Sequence, residues 1–315
     1  MRSGSRASIE PMTRRLRDLV SGRRGSVVRP DTFIVGAAKC GTTAMYHYLG
    51  QHPSIFMSAY KEPNYFCDDL NVRSLHARDL DTYLSLFVRG EGATRVGEAS
   101  VAYLLSTRAA SNLAAFALRG RVIVMLRNPV DAVYSMHGQL VFSRIQTEKD
   151  FARALARRPA PHDNDWLDYR RFMRFGEQAQ RYFTAFERSR ICIVRYEELR
   201  ADTVATYHRV LRFLGVAQHQ LSGFDVVNSH KVPRSDAVQR LLTQPPDLSR
   251  SLARAAIPNR MRHQFLRWLI RRNTRRATRE PMAPALRARL VAQIHDDVQH
   301  LQELTQLDLT HWLQP

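Results

Sequence analysis

Three short runs in this 315-residue chain carry apolar or β-branched side chains at every position: Thr32–Phe33–Ile34–Val35, Val122–Ile123–Val124–Met125–Leu126 and Ile191–Cys192–Ile193–Val194. A strand with one wet face alternates polar and apolar residues, whereas a strand apolar throughout is covered on both faces. Between these runs the spacing is helical. Gly41–Thr42–Thr43 opens a helix with Met45, Tyr48 and Leu49 on one face; further helices are predicted from Val130 to Arg144, Trp166 to Glu187 and Thr203 to Leu214. Shorter stretches complete the pattern, with strands at Ile55–Met57 and Arg95–Glu98 and helices at Leu80–Phe87 and Ser111–Leu118. Strands alternating with helices imply a central parallel sheet between two helical layers, an α/β three-layer sandwich.

The borders follow composition. Residues 1–30, rich in Arg, Ser and Gly, read as a mobile basic arm with a short helix at Met12–Val20. Residues 31–245 form the α/β domain, Gln244–Pro245–Pro246 marks its end, and 246–315 read as a basic, helical extension packed on or beside it. At 44% hydrophobic residues the chain is not disordered from end to end. No apolar run approaches the roughly 20 residues of a membrane-spanning helix, and no apolar stretch follows the N-terminal arginines as in a secretory signal. The expected compartment is the cytoplasm. Cys40, Cys67 and Cys192 are scattered, without disulfide or metal-ligand spacing, so no metal site is expected.

The net charge of +19 is concentrated. Eight arginines in residues 1–30 face only Glu10 and Asp18, and 14 arginines and one lysine in residues 231–290 face Asp236, Asp247 and Glu280. Such a balance implies an acidic partner: nucleic acid, a membrane surface, or an anionic substrate. Of 48 basic residues only Lys39, Lys61, Lys149 and Lys231 are lysines. A compact ammonium and a planar guanidinium do different chemistry, so these positions attract attention.

Gly36–Ala37–Ala38–Lys39–Cys40–Gly41–Thr42–Thr43 joins the first strand to the first helix. Glycines let such a loop turn tightly, and amides at the helix start bind an anion. The ATP and GTP form is G-x-x-x-x-G-K-[ST]. Here both glycines and Thr43 fit, but Thr42 stands at the lysine position and the lysine lies inside the loop, at Lys39. Where such an NTPase places an acid for Mg²⁺ at the end of the next apolar strand, this chain has Arg127. An arginine there attracts a second phosphate. Two anion sites without a metal acid suit a nucleotide phosphorylated at both ends of its ribose. A Mg·ATP-dependent P-loop kinase and a nucleic-acid-binding protein using the basic ends are the rival readings.

With these motifs the chain resembles, over roughly residues 31–243, the sulfotransferases that use 3′-phosphoadenosine 5′-phosphosulfate (PAPS). Phe33 to Thr43 looks like their 5′-phosphosulfate loop, and Leu126–Arg127–Asn128–Pro129 with Tyr134–Ser135 is similar to their 3′-phosphate motif. Lys61–Glu62–Pro63–Asn64–Tyr65–Phe66 resembles the Lys-Glu-Pro-x-aromatic-Phe segment of bacterial and glycan-acting members. Gly97–Glu98–Ala99–Ser100, Val194–Arg195–Tyr196–Glu197–Glu198–Leu199 and Asn228–Ser229–His230–Lys231–Val232–Pro233–Arg234–Ser235 also have counterparts, in the family's order.

The resemblance implies a P-loop-like fold and transfer of the sulfuryl group of PAPS to a hydroxyl, without metal. Lys39 would stabilise charge on the leaving oxygen. Gly36, Cys40, Gly41, Thr42 and Thr43 would line the 5′ side, Arg127 and Ser135 would bind the 3′-phosphate, and Tyr196 would lie near the adenine. Lys231 and Arg234 would belong to a loop closing over the nucleotide. Glu62 is the expected general base, with Lys61, Asn64, Glu98 and Ser100 on the acceptor side. Glycan-acting members often have Lys where Ala99 stands and His where Asn64 stands, so the acceptor chemistry of this chain departs from theirs. The expected acceptor is a carbohydrate or glycolipid. Arg267, Arg271 and Arg275, beside Phe265, Trp268 and Leu269, offer a basic face to an acidic acceptor or to anionic lipid at the inner membrane face.

Overall fold

A computed structural model of the chain describes residues 27–72, 79–224, 231–235, 238, 269, 272–276 and 280–314. The expected helix at Met12–Val20, the Gln244–Pro246 border, and Arg267 and Arg271 lie outside the described residues.

The sheet is parallel throughout, in the order β2-β3-β1-β4-β5. Its strands are β1 (Thr32–Gly36), β2 (Ile55–Met57), β3 (Arg95–Ala99), β4 (Arg121–Leu126) and β5 (Ile191–Arg195). Thr32 to Val35 of β1 and Val122 to Leu126 of β4 are wholly buried, as strands covered on both faces must be. From central β1 the chain runs outward to β2, returns to β3, then crosses to β4 on the other side. The ends of β1 and β4 therefore flank the switch point where open α/β sheets receive ligands.

The helices that position the site are α1 (Thr42–Leu49), α2 (Leu80–Ser85), α3 (Ala102–Leu105), α4 (Ala109–Phe116) and α5 (Pro129–Phe142). Next come α6 (Phe151–Ala156), α7 (Tyr169–Phe172), α8 (Phe175–Ala185), α9 (Tyr196–Ala201) and α10 (Thr203–Leu214). Pro129 stands at the first position of α5, where its missing N–H costs nothing, and Asn128 caps the helix by accepting from Val130 N at 2.9 Å. The C-terminal α11 (Pro284–Thr305) buries Leu290, Ile294, Val298 and Leu301 against α8 and α5, joining the same core.

Two elements differ from expectation. The single helix from Trp166 to Glu187 is a 3₁₀ turn at Asp165–Leu167, then α7, then α8. Asp168 restarts the chain by accepting from Arg171 N at 3.0 Å. The start of α8 is capped by Asp297 of α11, whose carboxylate accepts from Gly176 N at 2.8 Å and Glu177 N at 3.0 Å. Only a glycine fits there, since a Cβ on Gly176 would lie 2.3 Å from Asp297 O. The extension is also not helical throughout: β7 (Thr274–Arg276) pairs antiparallel with β6 (Lys231–Pro233). A three-residue strand exists because a partner is present, and local spacing cannot reveal that partner.

Candidate active site

The loop between β1 and α1 closes on left-handed backbone. Lys39 has φ 68° and Gly41, the residue capping α1, has φ 88°. The Gly41 carbonyl accepts from Ala44 N and Met45 N at 3.0 and 3.2 Å, whereas a helix start leaves its first amides without intrahelical acceptors, facing outward. Neither flanking glycine tolerates a side chain. A Cβ on Gly36 would come 2.7 Å from Leu104 Cβ, and one on Gly41 would come 2.9 Å from Leu199 Cδ2 and 3.1 Å from Tyr196 Cδ2. Cys40 is fully buried, its thiol 3.4 Å from Ala38 O. Burial drives that thiol far above the usual range, against the pull of Arg127 and Lys39, so it is inert packing rather than a nucleophile.

Arg127 arrives at the same place from the end of β4. Its guanidinium lies 4.8 Å from the centroid of the Tyr196 ring, and that ring also borders Gly41. The loop, Arg127 and the start of α9 thus meet in one cluster. Asp131 and Ser135, four residues apart, share one face at the start of α5, and Arg127, just before the cap residue Asn128, lies beside Asp131. Ser135 is 8% exposed, and Arg127 Nη2 stands 3.7 Å from Asp131 Oδ2.

The Lys-Glu-Pro segment lies across the ends of β1 and β3. Glu62 and Asn64 both have positive φ, 67° and 53°. Of five described non-glycine residues with such backbone, Lys39, Glu62 and Asn64 are three, and backbone strain of this kind concentrates at functional sites. The Glu62 carboxylate bonds Lys61 Nζ through Oε1 and accepts from Val101 N at 2.9 Å through Oε2.

Beneath it, Glu98 is wholly buried and takes hydroxyl donors from Tyr83 (2.6 Å), Ser100 (2.7 Å) and Tyr103 (2.9 Å). Burial raises its carboxyl to about 7, the three hydroxyls oppose the rise, and the Glu62 charge adds to it. Ser100 also accepts from Asn64 N at 3.1 Å, which ties Glu98 to the loop bearing Glu62. Glu98, Ser100 and Asn64, expected on the acceptor side, are buried and linked by hydrogen bonds to the loop that bears Glu62. Lys61 and Glu62 keep partial exposure, 21% and 27% of their side chains.

The later segment packs beside α5. β6 packs against α5, and Arg234, with an exposed side chain, donates its N–H to Asn273 O at 2.6 Å. The β6 register, Lys231 opposite Arg276, places Lys231 on this ribbon.

Comparison with known proteins decides what this arrangement belongs to. Residues 29–247 match the model of the sulfotransferase domain. The chain belongs to the sulfotransferase domain family. A solved sulfotransferase from Alicyclobacillus acidocaldarius superposes with a TM-score of 0.69 at 28% identity, covering 91% of this chain and all of its own. Among curated relatives, human bifunctional heparan sulfate N-deacetylase/N-sulfotransferase 3 is 25% identical over 213 residues, covering 65% of this chain. The human enzyme 2 of the same name is 26% identical over 212 residues, covering 64%. The chain spans about a quarter (24%) of the length of these relatives.

The donor of this sulfotransferase family is PAPS, an anion at both ends of its ribose, and the residues present fit it. Gly36 and Gly41 hold the loop in a tight turn against Leu104, Leu199 and Tyr196, where no side chain fits. The Arg127 guanidinium stands at the end of a buried strand, 3.7 Å from Asp131, and a guanidinium is a fork suited to a phosphate. The sequence singled out Lys39, Glu62 and Arg127, but not Asp131 beside Arg127, Val101 that holds Glu62, or Arg287, which donates to Asp131 Oδ1 at 2.8 Å. The fourfold spacing of Arg127, Asp131 and Ser135 was a usable sign for the first. Val101 acts through its backbone, and Arg287 is brought in only by folding.

Proposed function

We propose that the protein transfers a sulfuryl group from PAPS to an acceptor hydroxyl on a carbohydrate or glycolipid and releases adenosine 3′,5′-bisphosphate. The observation that carries this reading is the meeting of the Lys39 loop, Arg127 and Glu62 at the end of one parallel sheet. PAPS supplies an activated sulfuryl group on a good leaving group. The amides of Gly41, Thr42 and Thr43 hold the 5′-phosphate, with Gly36 and Cys40 as the tight packing that shapes the loop. Lys39 places its ammonium at the bridging oxygen, where charge grows as the S–O bond breaks; this favours the transition state over the ground state. Arg127 and Ser135 bind the 3′-phosphate, Tyr196 lies under Arg127 beside the adenine, and Lys231 and Arg234 close from the late loop.

Glu62 takes the acceptor proton at Oε1 as the acceptor oxygen bonds to sulfur. Val101 N–H keeps Oε2 in place during that transfer. Lys61, released from Oε1 by protonation, turns to the sulfuryl oxygens. Glu98, Ser100 and Asn64 support the strained loop from below. No described helix is long and apolar enough to cross a membrane, and the reading includes peripheral contact of the basic chain with anionic membrane.

A second acceptor class has its own support: the curated relatives are named as N-sulfotransferases, so a glycan amine stands beside the hydroxyl. The test is transfer of labelled sulfate from PAPS, in EDTA, to an N-acetylated glycan and to its de-N-acetylated form. Label on both supports the hydroxyl reading, and label on the amine form alone replaces it with N-sulfation. Thermal-shift titration with adenosine 3′,5′-bisphosphate should raise the midpoint without metal, well beyond ATP. A shift with Mg·ATP alone would overturn the donor assignment.

A further inference from the structure

Asp131 is shared by two arginines. Its Oδ1 accepts from Arg287 Nη1 at 2.8 Å, while Arg127 Nη2 stands 3.7 Å from Oδ2. Asp131 lies beside Arg127 and one helical turn from Ser135, so its carboxylate sits within the site read as receiving the 3′-phosphate. A carboxylate there opposes a phosphate by charge, and competes with it for Arg127.

Arg287 belongs to α11, beyond the residues 29–247 that match the family model. The segment around it is fastened to the same part of α5. Tyr134 Oη donates to Glu280 O at 3.0 Å, and Asn128 Nδ2 donates to Trp312 O at 3.2 Å. Of the two arginines Arg287 makes the shorter contact, which leaves Arg127 the longer one and its place over Tyr196.

We propose that Arg287 is a positioning residue for the 3′-phosphate: it holds Asp131, cancels that carboxylate's repulsion of the nucleotide, and keeps it from clamping Arg127. The C-terminal segment thereby sets the affinity for a 3′-phosphorylated nucleotide. The inference rests on Arg127 and Ser135 being the 3′-phosphate site.

The test is calorimetric titration of the full chain with adenosine 3′,5′-bisphosphate and with adenosine 5′-phosphosulfate, which lacks the 3′-phosphate. Arg287→Gln should weaken the bisphosphate about tenfold and the phosphosulfate less than twofold. Arg287→Lys, which keeps the charge, should stay within about threefold of the parent for both. Adding Asp131→Asn to Arg287→Gln should restore bisphosphate binding to within about threefold of the parent. A residue that merely docks α11 would not be rescued in this way. Unchanged bisphosphate affinity in Arg287→Gln, equal loss for both nucleotides, or a double variant as weak as the single one overturns the inference. If the parent protein binds both nucleotides equally, the 3′-phosphate site itself is wrong and the role of Arg287 falls with it.

Discussion

Val101 donates its backbone N–H to Glu62 Oε2 over 2.9 Å, although the two residues are 39 apart in the chain. Glu62 in turn donates its own N–H to Ala99 O at 2.8 Å, so both its backbone and its carboxylate are tied to the end of β3. The Val101 carbonyl oxygen lies 3.1 Å from where a Cβ on Gly36 would sit. The pairing of β1 with β3 therefore sets the separation between the Glu62 carboxylate and the Gly36–Thr43 loop, and a rigid sheet holds both in place.

Glu62→Gln keeps the shape and the Val101 contact but cannot accept a proton. Turnover should fall about 10²–10⁴-fold, while adenosine 3′,5′-bisphosphate binds within about threefold of the parent. Steady-state kinetics beside calorimetry separate the two effects, and an unchanged rate removes Glu62 from the base role.

Lys39→Ala should lower kcat by about 10²–10³-fold, the usual cost of deleting one transition-state charge partner. The bisphosphate carries no sulfuryl group, so its affinity should change much less than the rate. Equal losses in both would make Lys39 a binding residue only.

Gly41→Ala and Gly92→Ala form a matched pair. Both positions have positive φ, 88° and 82°, but a Cβ at Gly92 meets nothing within 4 Å, whereas one at Gly41 collides with Leu199 and Tyr196. Gly92→Ala should cost about 1 kcal/mol of backbone strain. Gly41→Ala should cost about 1–3 kcal/mol more from overpacking, with loss of bisphosphate binding. Chemical denaturation and titration of both variants check this.

Glu98 links stability to pH. Its carboxyl is raised from 4.5 to about 7 in the folded protein, so the folded state holds the proton more tightly than the unfolded chain does. Its favourable contribution is therefore full below about 4.5 and is lost as pH rises through about 7, on the order of 3 kcal/mol across that interval. Glu98→Gln, which cannot ionise, should flatten the fall in denaturation free energy between pH 5 and 7.5. Parallel slopes for the parent and the variant would refute the linkage.

The strands, the tight loop after β1 and the place of Arg127 at a strand end were legible because each is a local pattern. Three apolar runs without alternation admit only a sheet covered on both faces, and Gly36 and Gly41 at loop spacing admit only a tight turn. Other features depend on residues far apart in the chain. The break before α8 is capped by Asp297, about 120 residues later in the chain, and Gly176 is a local sign that gains its meaning only from that partner. Asn64, Glu98 and Ser100 look like surface chemistry when read in order. Folding buries them under Glu62, where Tyr83 and Tyr103 supply the hydroxyls that make an interior carboxyl tolerable.

The sequence by itself determined the layered α/β architecture and the tight loop at the end of β1, because periodicity and glycine spacing act over a few residues. The tertiary structure decided which charges face each other: Lys61 on Glu62, Arg287 on Asp131, three hydroxyls on Glu98. Charge pairing depends on distance in space, and only the folded chain supplies that distance.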